Sequence, residues 1–86
     1  MSLQVGGAEL NLLEAIRVSI IDAIPDAQVE VSGGGGHFTI DVVSSEFEGK
    51  RMLAQQRLVY AALTPLMAGD SAPLHAVDSL TTRTPD

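Results

Sequence analysis

The apolar positions along the chain follow two periods, which predict helices and strands in a defined order. Between Asn11 and Ile24 apolar residues recur every three or four positions, as in an amphipathic helix. The recurring residues are Leu13, Ile16, Ile20 and Ile24. Asn11 followed by Glu14 resembles a capping box and predicts that the helix begins there. Pro25 predicts a turn at Pro25-Asp26, because the residue before a proline avoids helical geometry.

Two segments that alternate between apolar and polar residues predict two strands. Residues 27–32 place Val29 and Val31 on one face, and a second alternating segment begins at His37. The apolar face of that second segment consists of Phe38, Ile40 and Val42. Four glycines, residues 33–36, separate the segments and predict a mobile hairpin loop, because they have no side chains to pack. A phosphate-binding loop would need Lys followed by Ser or Thr at the head of a helix, whereas a strand follows here.

Residues 50–68 hold many good helix formers and predict the longest helix of the chain. Helical spacing places four apolar residues on one stripe, which Gln56 interrupts. The four residues of the stripe are Met52, Val59, Leu63 and Leu66. Pro65 predicts a kink in the last turn of this helix.

Residues 74–82 predict a third strand with an irregular apolar face. Val77 and Leu80 are three residues apart, so they would lie on opposite faces of a regular strand. Both face the core only if a β-bulge around Asp78-Ser79 accommodates one extra residue. The resulting order of helix, strand, strand, helix and strand predicts an α+β fold with a three-stranded mixed sheet and both helices on one face. We expect the first two strands to be antiparallel, and the third to run parallel to the second through a right-handed crossover.

Composition bounds the domain organisation and the class of function. A chain of 86 residues predicts one domain, residues 10–86, after a flexible N-terminal tail of residues 1–9. The net charge of −6 argues against a general nucleic-acid-binding protein, although three of the five basic residues, Lys50, Arg51 and Arg57, lie in the predicted long helix. The absence of cysteine excludes a disulfide or a thiolate ligand from these residues. No apolar run approaches the roughly 20 residues of a membrane span, so we expect a soluble, cytoplasmic protein.

The residues that could carry chemistry do not predict an enzyme. The carboxylates are scattered, and Glu46 and Glu48 lie together only at an exposed helix entry, where negative charge suits the helix dipole. No nucleophile elbow is present. A lone histidine such as His37 or His75 is more often a hydrogen-bonded structural residue than a ligand, and spacing alone does not decide between the two.

Four motifs in order resemble the BolA family. They are Gly36-His37-Phe38, Phe47-Glu48-Gly49-Lys50-Arg51, Gln55-Gln56-Arg57-Leu58-Val59-Tyr60, and Leu74-His75-Ala76-Val77 ending near Thr84-Pro85. The Gln55-Gln56 pair resembles the IbaG-like branch in particular. The resemblance covers residues 10–85 and implies a fold similar to class II KH domains. It further implies an adaptor that pairs with a monothiol glutaredoxin and shares a bridged 2Fe-2S cluster, in iron–sulfur trafficking or iron homeostasis. Because some members are reported as DNA-binding regulators, the alternative is a KH-like nucleic-acid-binding transcriptional regulator.

The resemblance also assigns expected roles to individual residues. His75, at the start of the third strand, matches the family's cluster-ligating histidine. The second ligand of the family is a Cys or His in the loop between the first two strands, and here only His37, at the end of the glycine run, could substitute. Glutathione and the glutaredoxin cysteine would supply the other ligands, so no cluster is expected in the isolated chain, which would be a monomer or weak homodimer. Lys50, Arg51 and Arg57 would contact an acidic partner or DNA phosphates, or would form a solvated helix face.

Overall fold

The computed structural model describes residues 7–34, 37–67, 74 and 76–85. Two helices and three strands follow one another in the predicted order. They are α1 (Gly7–Ala23), β1 (Gln28–Gly34), β2 (His37–Val43), α2 (Met52–Met67) and β3 (Ala76–Arg83), with a single 3-10 turn at Ser45–Phe47 before α2. The α+β fold class is therefore confirmed, and no helix among the described residues is long and apolar enough to cross a membrane.

The three strands form one mixed sheet in the order β1-β2-β3. β1 and β2 are antiparallel, β2 and β3 are parallel, and both pairings were predicted. Along β3, Val77 pairs with Phe38 and Ser79 pairs with Thr39, so Asp78 is the extra residue of a bulge. Val77 and Leu80 are consequently both half-buried against the core, which confirms the predicted bulge.

One apolar cluster joins both helices to one face of the sheet. Its buried members are Ile16, Ile20, Ile24, Phe38, Ile40, Val42, Phe47, Val59, Leu63 and Leu74. The alternate residues of β1 and β2, including Glu30, Ser32 and Thr39, are exposed on the opposite face. The sheet thus has one covered face and one polar face, as the alternating pattern predicts.

The predicted start of α1 at Asn11 is wrong. α1 begins at Gly7, so Asn11 lies inside the helix and does not cap it. Ala8, Glu9 and Leu10 favour helix, and the helix extends through them. α1 therefore has 17 residues and α2 has 16, which contradicts the prediction that α2 is the longer helix. Residues 7–9 of the predicted tail belong to α1, and residues 1–6 lie outside the described part.

Only part of the glycine run forms the hairpin loop. β1 continues to Gly34, which pairs with His37, so the loop is shorter than predicted. Gly33 has φ +124°, and a Cβ there would lie 2.9 Å from the Cα of Phe38 and closer still to the carbonyl oxygen of His37. Only glycine therefore fits at position 33 without displacement of β2. Residues 35 and 36 lie outside the described part, so the mobility predicted for them stays a prediction.

Two boundaries and one core residue also differ from expectation. α2 begins at Met52 rather than at residue 50, and the Met52 side chain is 54% exposed instead of buried. Val59 and Leu63 are buried, as predicted for the apolar stripe. β3 begins at Ala76, so the buried Leu74 precedes the strand.

Asp26 joins the corner after α1 to the corner after β2. Its carboxylate accepts hydrogen bonds from the hydroxyls of Ser44 and Ser45, and from the Ser45 backbone N–H at 3.0 Å. These donors stabilise the ionised form and hold the pKa of the Asp26 carboxyl below its ordinary value, the Ser44 hydrogen bond contributing most. The stabilisation is therefore complete above the pKa of an unfolded aspartate, about 3.9, and is lost as pH falls through the lower folded value.

We expect Asp26→Asn to destabilise the fold at neutral pH and to converge with the wild type in acid. The measurement is urea unfolding of both proteins from pH 7 down to pH 2. Asp22→Asn, which makes the same change at an exposed α1 carboxylate away from Ser44 and Ser45, is the matched control for the loss of one negative charge. A difference between wild type and Asp26→Asn that is constant across the pH range would contradict the assigned role.

Candidate ligand residue and partner surface

His37 is the first residue of β2, and its side chain is 62% exposed. Its Nδ1 lies 3.2 Å from the Asp78 carboxylate oxygen Oδ1. A neutral imidazole that donates its Nδ1 proton to this carboxylate keeps the lone pair of Nε2 available to an external group. Asp78 is in reach because it is the extra residue of the β3 bulge, opposite the start of β2. The arrangement resembles the carboxylate–histidine pairs that orient metal-binding imidazoles.

His75 lies outside the described residues, so its expected role stays a prediction. Its covalent neighbours are both fixed in the fold. Leu74 is buried, and its N–H donates to the carbonyl of Leu66 at 3.1 Å, while Ala76 is the β3 partner of His37. Position 75 is therefore adjacent in sequence to Ala76, the residue that pairs with His37, which is the other candidate ligand.

No three His, Asp or Glu side chains converge on a common point among the residues that the structure describes. Within that part of the chain, His37 is the one imidazole. A metal group bound at the start of β2 would therefore need further ligands, from His75 or from another molecule. An imidazole of this kind is a suitable donor for iron.

The three predicted basic residues lie at the start of α2. Lys50 and Arg51 precede the helix, Arg57 is in its second turn, and all three side chains are exposed. The other two basic residues are ion-paired, Arg17 with Glu14 and Arg83 with Asp41. Within the described residues no ion pair involves Lys50, Arg51 or Arg57. Among the residues that the structure describes, the three cations outside ion pairs thus lie together at the start of α2.

Two large apolar side chains accompany this charge. Leu53 is 58% exposed and Tyr60 is 40% exposed. Leu53, Arg57 and Tyr60 are four and then three residues apart, so they lie on one face of α2. We call Lys50, Arg51, Leu53, Arg57 and Tyr60 together the basic α2 surface. It combines cations with exposed apolar area.

Gln55 holds the turn that carries Lys50 and Arg51. Its amide nitrogen donates to the carbonyl oxygens of Lys50 at 2.9 Å and Phe47 at 3.3 Å, and its amide oxygen accepts from the hydroxyl of the buried Thr82 at 2.7 Å. The inward-facing amide thus ties the basic turn to β3. Sequence analysis missed this role and that of Asp78. The signal for Asp78 was present, since an acidic residue occupied the predicted bulge.

Comparisons with known proteins agree with this architecture. A family model described as BolA-like protein matches residues 10–86. A relative from Acinetobacter guillouiae, described as an uncharacterized protein in the rpoN-murA intergenic region, is 47% identical over 55 residues, or 64% of this chain and 64% of that protein. The chain therefore spans less than two thirds of that relative. Protein BOLA2 of Arabidopsis thaliana is 38% identical over 74 residues, or 85% of this chain and 75% of that protein.

A solved structure also matches. The structure of a bolA protein homologue from Coxiella burnetii has a TM-score of 0.72 and 38% sequence identity, and the match covers 85% of this chain and 90% of that chain. Assignment to the IbaG-like branch and likeness to class II KH domains stay predictions. The match to the family model, the curated relatives and the solved structure together show that the chain belongs to the BolA-like protein family.

Proposed function

We propose that the protein is a binding adaptor that pairs with a monothiol glutaredoxin and shares a bridged 2Fe-2S cluster with it, in iron–sulfur trafficking or iron homeostasis. The observation that carries the proposal is the exposed His37 imidazole, oriented by Asp78 at the start of β2. Membership of the BolA-like family supports it. The proposed role is binding and transfer, and no enzymatic step is assigned to the chain.

His37 and His75 are the proposed ligands from this chain. The bound cluster would supply iron or electrons to a recipient, and the glutaredoxin cysteine and glutathione would hold its other side. On this chain, Asp78 would keep the Nδ1 proton of His37 in place so that Nε2 faces outward. Ala76 pairs with His37 in the sheet, which favours a site built from the adjacent starts of β2 and β3.

The basic α2 surface is proposed to contact an acidic region of the partner. Within the described part of the chain, Lys50, Arg51 and Arg57 make no ion pair, so their charges are available to a partner, and Leu53 and Tyr60 add apolar contact area. Electrostatic attraction of this kind accelerates association more than it strengthens the final complex. Complex formation should therefore slow as ionic strength rises.

The direct test is anaerobic co-purification with a monothiol glutaredoxin and glutathione, followed by visible absorption spectroscopy. We expect a mixed complex whose spectrum differs from that of the glutaredoxin homodimer carrying the same cluster. The chain purified alone is the control for absorption that does not depend on the partner. Failure to form a complex with either apo or cluster-loaded glutaredoxin would contradict the proposal.

The second candidate function is nucleic-acid binding by a transcription regulator. The cluster of three cations on the basic α2 surface favours it, because no ion pair among the described residues involves them. If that surface contacts duplex DNA, changing Lys50, Arg51 and Arg57 together to Ala should abolish binding at physiological ionic strength and leave weak, measurable binding at low salt. Each lost phosphate contact should flatten the plot of log affinity against log salt by about 0.9, so three contacts should reduce the slope by about 2.7. Changing the ion-paired Arg17 and Arg83 to Ala is the matched control. Unchanged DNA affinity of the triple variant would remove this function from the surface.

A further inference from the structure

β1 forms an edge of the sheet, and no strand among the described residues pairs with its outer side. Every second residue of β1 therefore directs its backbone N–H and C=O away from β2. Proteins commonly guard such edges with lysine, proline or a bulge. β1 contains no lysine, proline or bulge, and its one charged residue is Glu30, whereas β3, at the opposite edge, has the bulge at Asp78. The β1 edge is accordingly open to addition of another strand.

A cleft of about 580 Å³ runs along this edge, bounded by α1 on the covered face of the sheet and by Glu30, Thr39 and Asp41 on the polar face. Leu13 of α1 and Val29 and Val31 of β1 line it, and all three are half-buried. Its volume is within the range of natural ligand sites, which are mostly apolar with a few polar groups. Alternate side chains of a strand added to β1 would therefore meet an apolar contact surface.

The charged residues around the cleft indicate which side chains an added strand should carry. Glu14, Arg17, Glu30 and Asp41 contribute to its lining, and Arg17 is neutralised by Glu14 at 2.7 Å. Glu30 lies directly across from Asp41, which is an unfavourable pair of like charges. Arg83 reaches Asp41 at 3.3 Å, but within the described residues no cation pairs with Glu30. A cation on an added strand beside Glu30 would offset this repulsion.

We propose that the β1 edge binds an extended segment of a partner protein by strand addition, and that this segment alternates lysine or arginine with apolar residues. Backbone hydrogen bonds to β1 would supply affinity, and the cleft and Glu30 would select the side chains. A second copy of this chain fits poorly, because pairing of two β1 edges would bring two acidic rims together in a molecule of net charge −6. The interface is separate from the basic α2 surface and does not depend on cluster sharing.

The test uses two blocked seven-residue peptides, one alternating lysine with valine and one alternating glutamate with valine. Each is titrated into the isotope-labelled protein at low ionic strength, and the amide resonances are followed by NMR. We expect the lysine peptide to shift the amides of residues 28–34 and to bind roughly tenfold more tightly than the glutamate peptide. A lysine peptide with proline at its central position should lose binding, because proline cannot donate to the ladder.

Glu30→Lys should reverse the preference in favour of the glutamate peptide, and because Glu30 is exposed the variant should fold normally. Asp22→Lys makes the same charge change on α1 outside the cleft and should retain the preference for lysine. Equal affinity for both peptides, or shifts confined to α2 and β3, would overturn the proposal. Sedimentation that shows a dimer disrupted by Glu30→Lys would assign the edge to a second copy and would also overturn it.

Discussion

His75→Ala is expected to fold normally, to bind apo-glutaredoxin nearly as well as the wild type, and to lose the histidine-dependent spectral features of the mixed cluster. The physical reason is that an imidazole ligand changes the electronic environment of one iron, whereas an alanine leaves that position to thiolate or solvent. The measurement is circular dichroism and electron paramagnetic resonance of the reduced mixed complex. His37→Ala should give a smaller effect of the same kind.

Asp78→Asn tests whether His37 is a cluster ligand oriented by Asp78 or only an exposed side chain beside it. The amide retains the size of the carboxylate but not its charge, so a ligating His37 should respond in the spectrum of the mixed cluster while a non-ligating one should not. Identical spectra for wild type and His75→Ala would refute the ligand assignment. A large fall in the melting temperature of His75→Ala without any spectral change would return the residue to a structural role.

Gly33→Ala is expected to lower the free energy of unfolding by roughly 2–4 kcal/mol, which combines the strain of a rare backbone conformation with the displacement of a close neighbour. The φ of +124° suits glycine only, and the added methyl group would press on the backbone of His37 and Phe38. A domain of this size is stabilised by about 4–13 kcal/mol, so the loss is a substantial fraction. Chemical unfolding of wild type and variant measures it.

Gly49→Ala is the matched control for this prediction. Gly49 also has a positive φ, +77°, but no atom lies within 4 Å of the position that a Cβ would occupy. It should therefore cost only the conformational part, about 1 kcal/mol. Equal destabilisation by the two substitutions would show that the close approach of β1 to β2 contributes nothing. Because the displaced backbone belongs to His37, Gly33→Ala should also alter the spectrum of the mixed cluster, whereas Gly49→Ala should not.

Family resemblance and the local sequence pattern together indicate most of the candidate site. Both histidines and the three cations of the basic α2 surface were identified in that way. The contact between His37 and Asp78 was not identified, because the two residues are 41 positions apart and meet only through the parallel pairing of β2 with β3. Ion pairing of Arg17 and Arg83 likewise depends on where their neighbours lie.

By itself the sequence determined the order of the helices and strands, the direction in which the strands pair and the bulge in β3. These features follow from periods of apolar residues, which depend on near neighbours in the chain. Only the tertiary structure decided that the hairpin ladder continues through Gly33, that the Gln55 amide accepts a hydrogen bond from the buried Thr82, and that Met52 is 54% exposed. Each of these outcomes depends on the space and the hydrogen-bond partners that distant segments provide, and sequence periodicity contains no information about them.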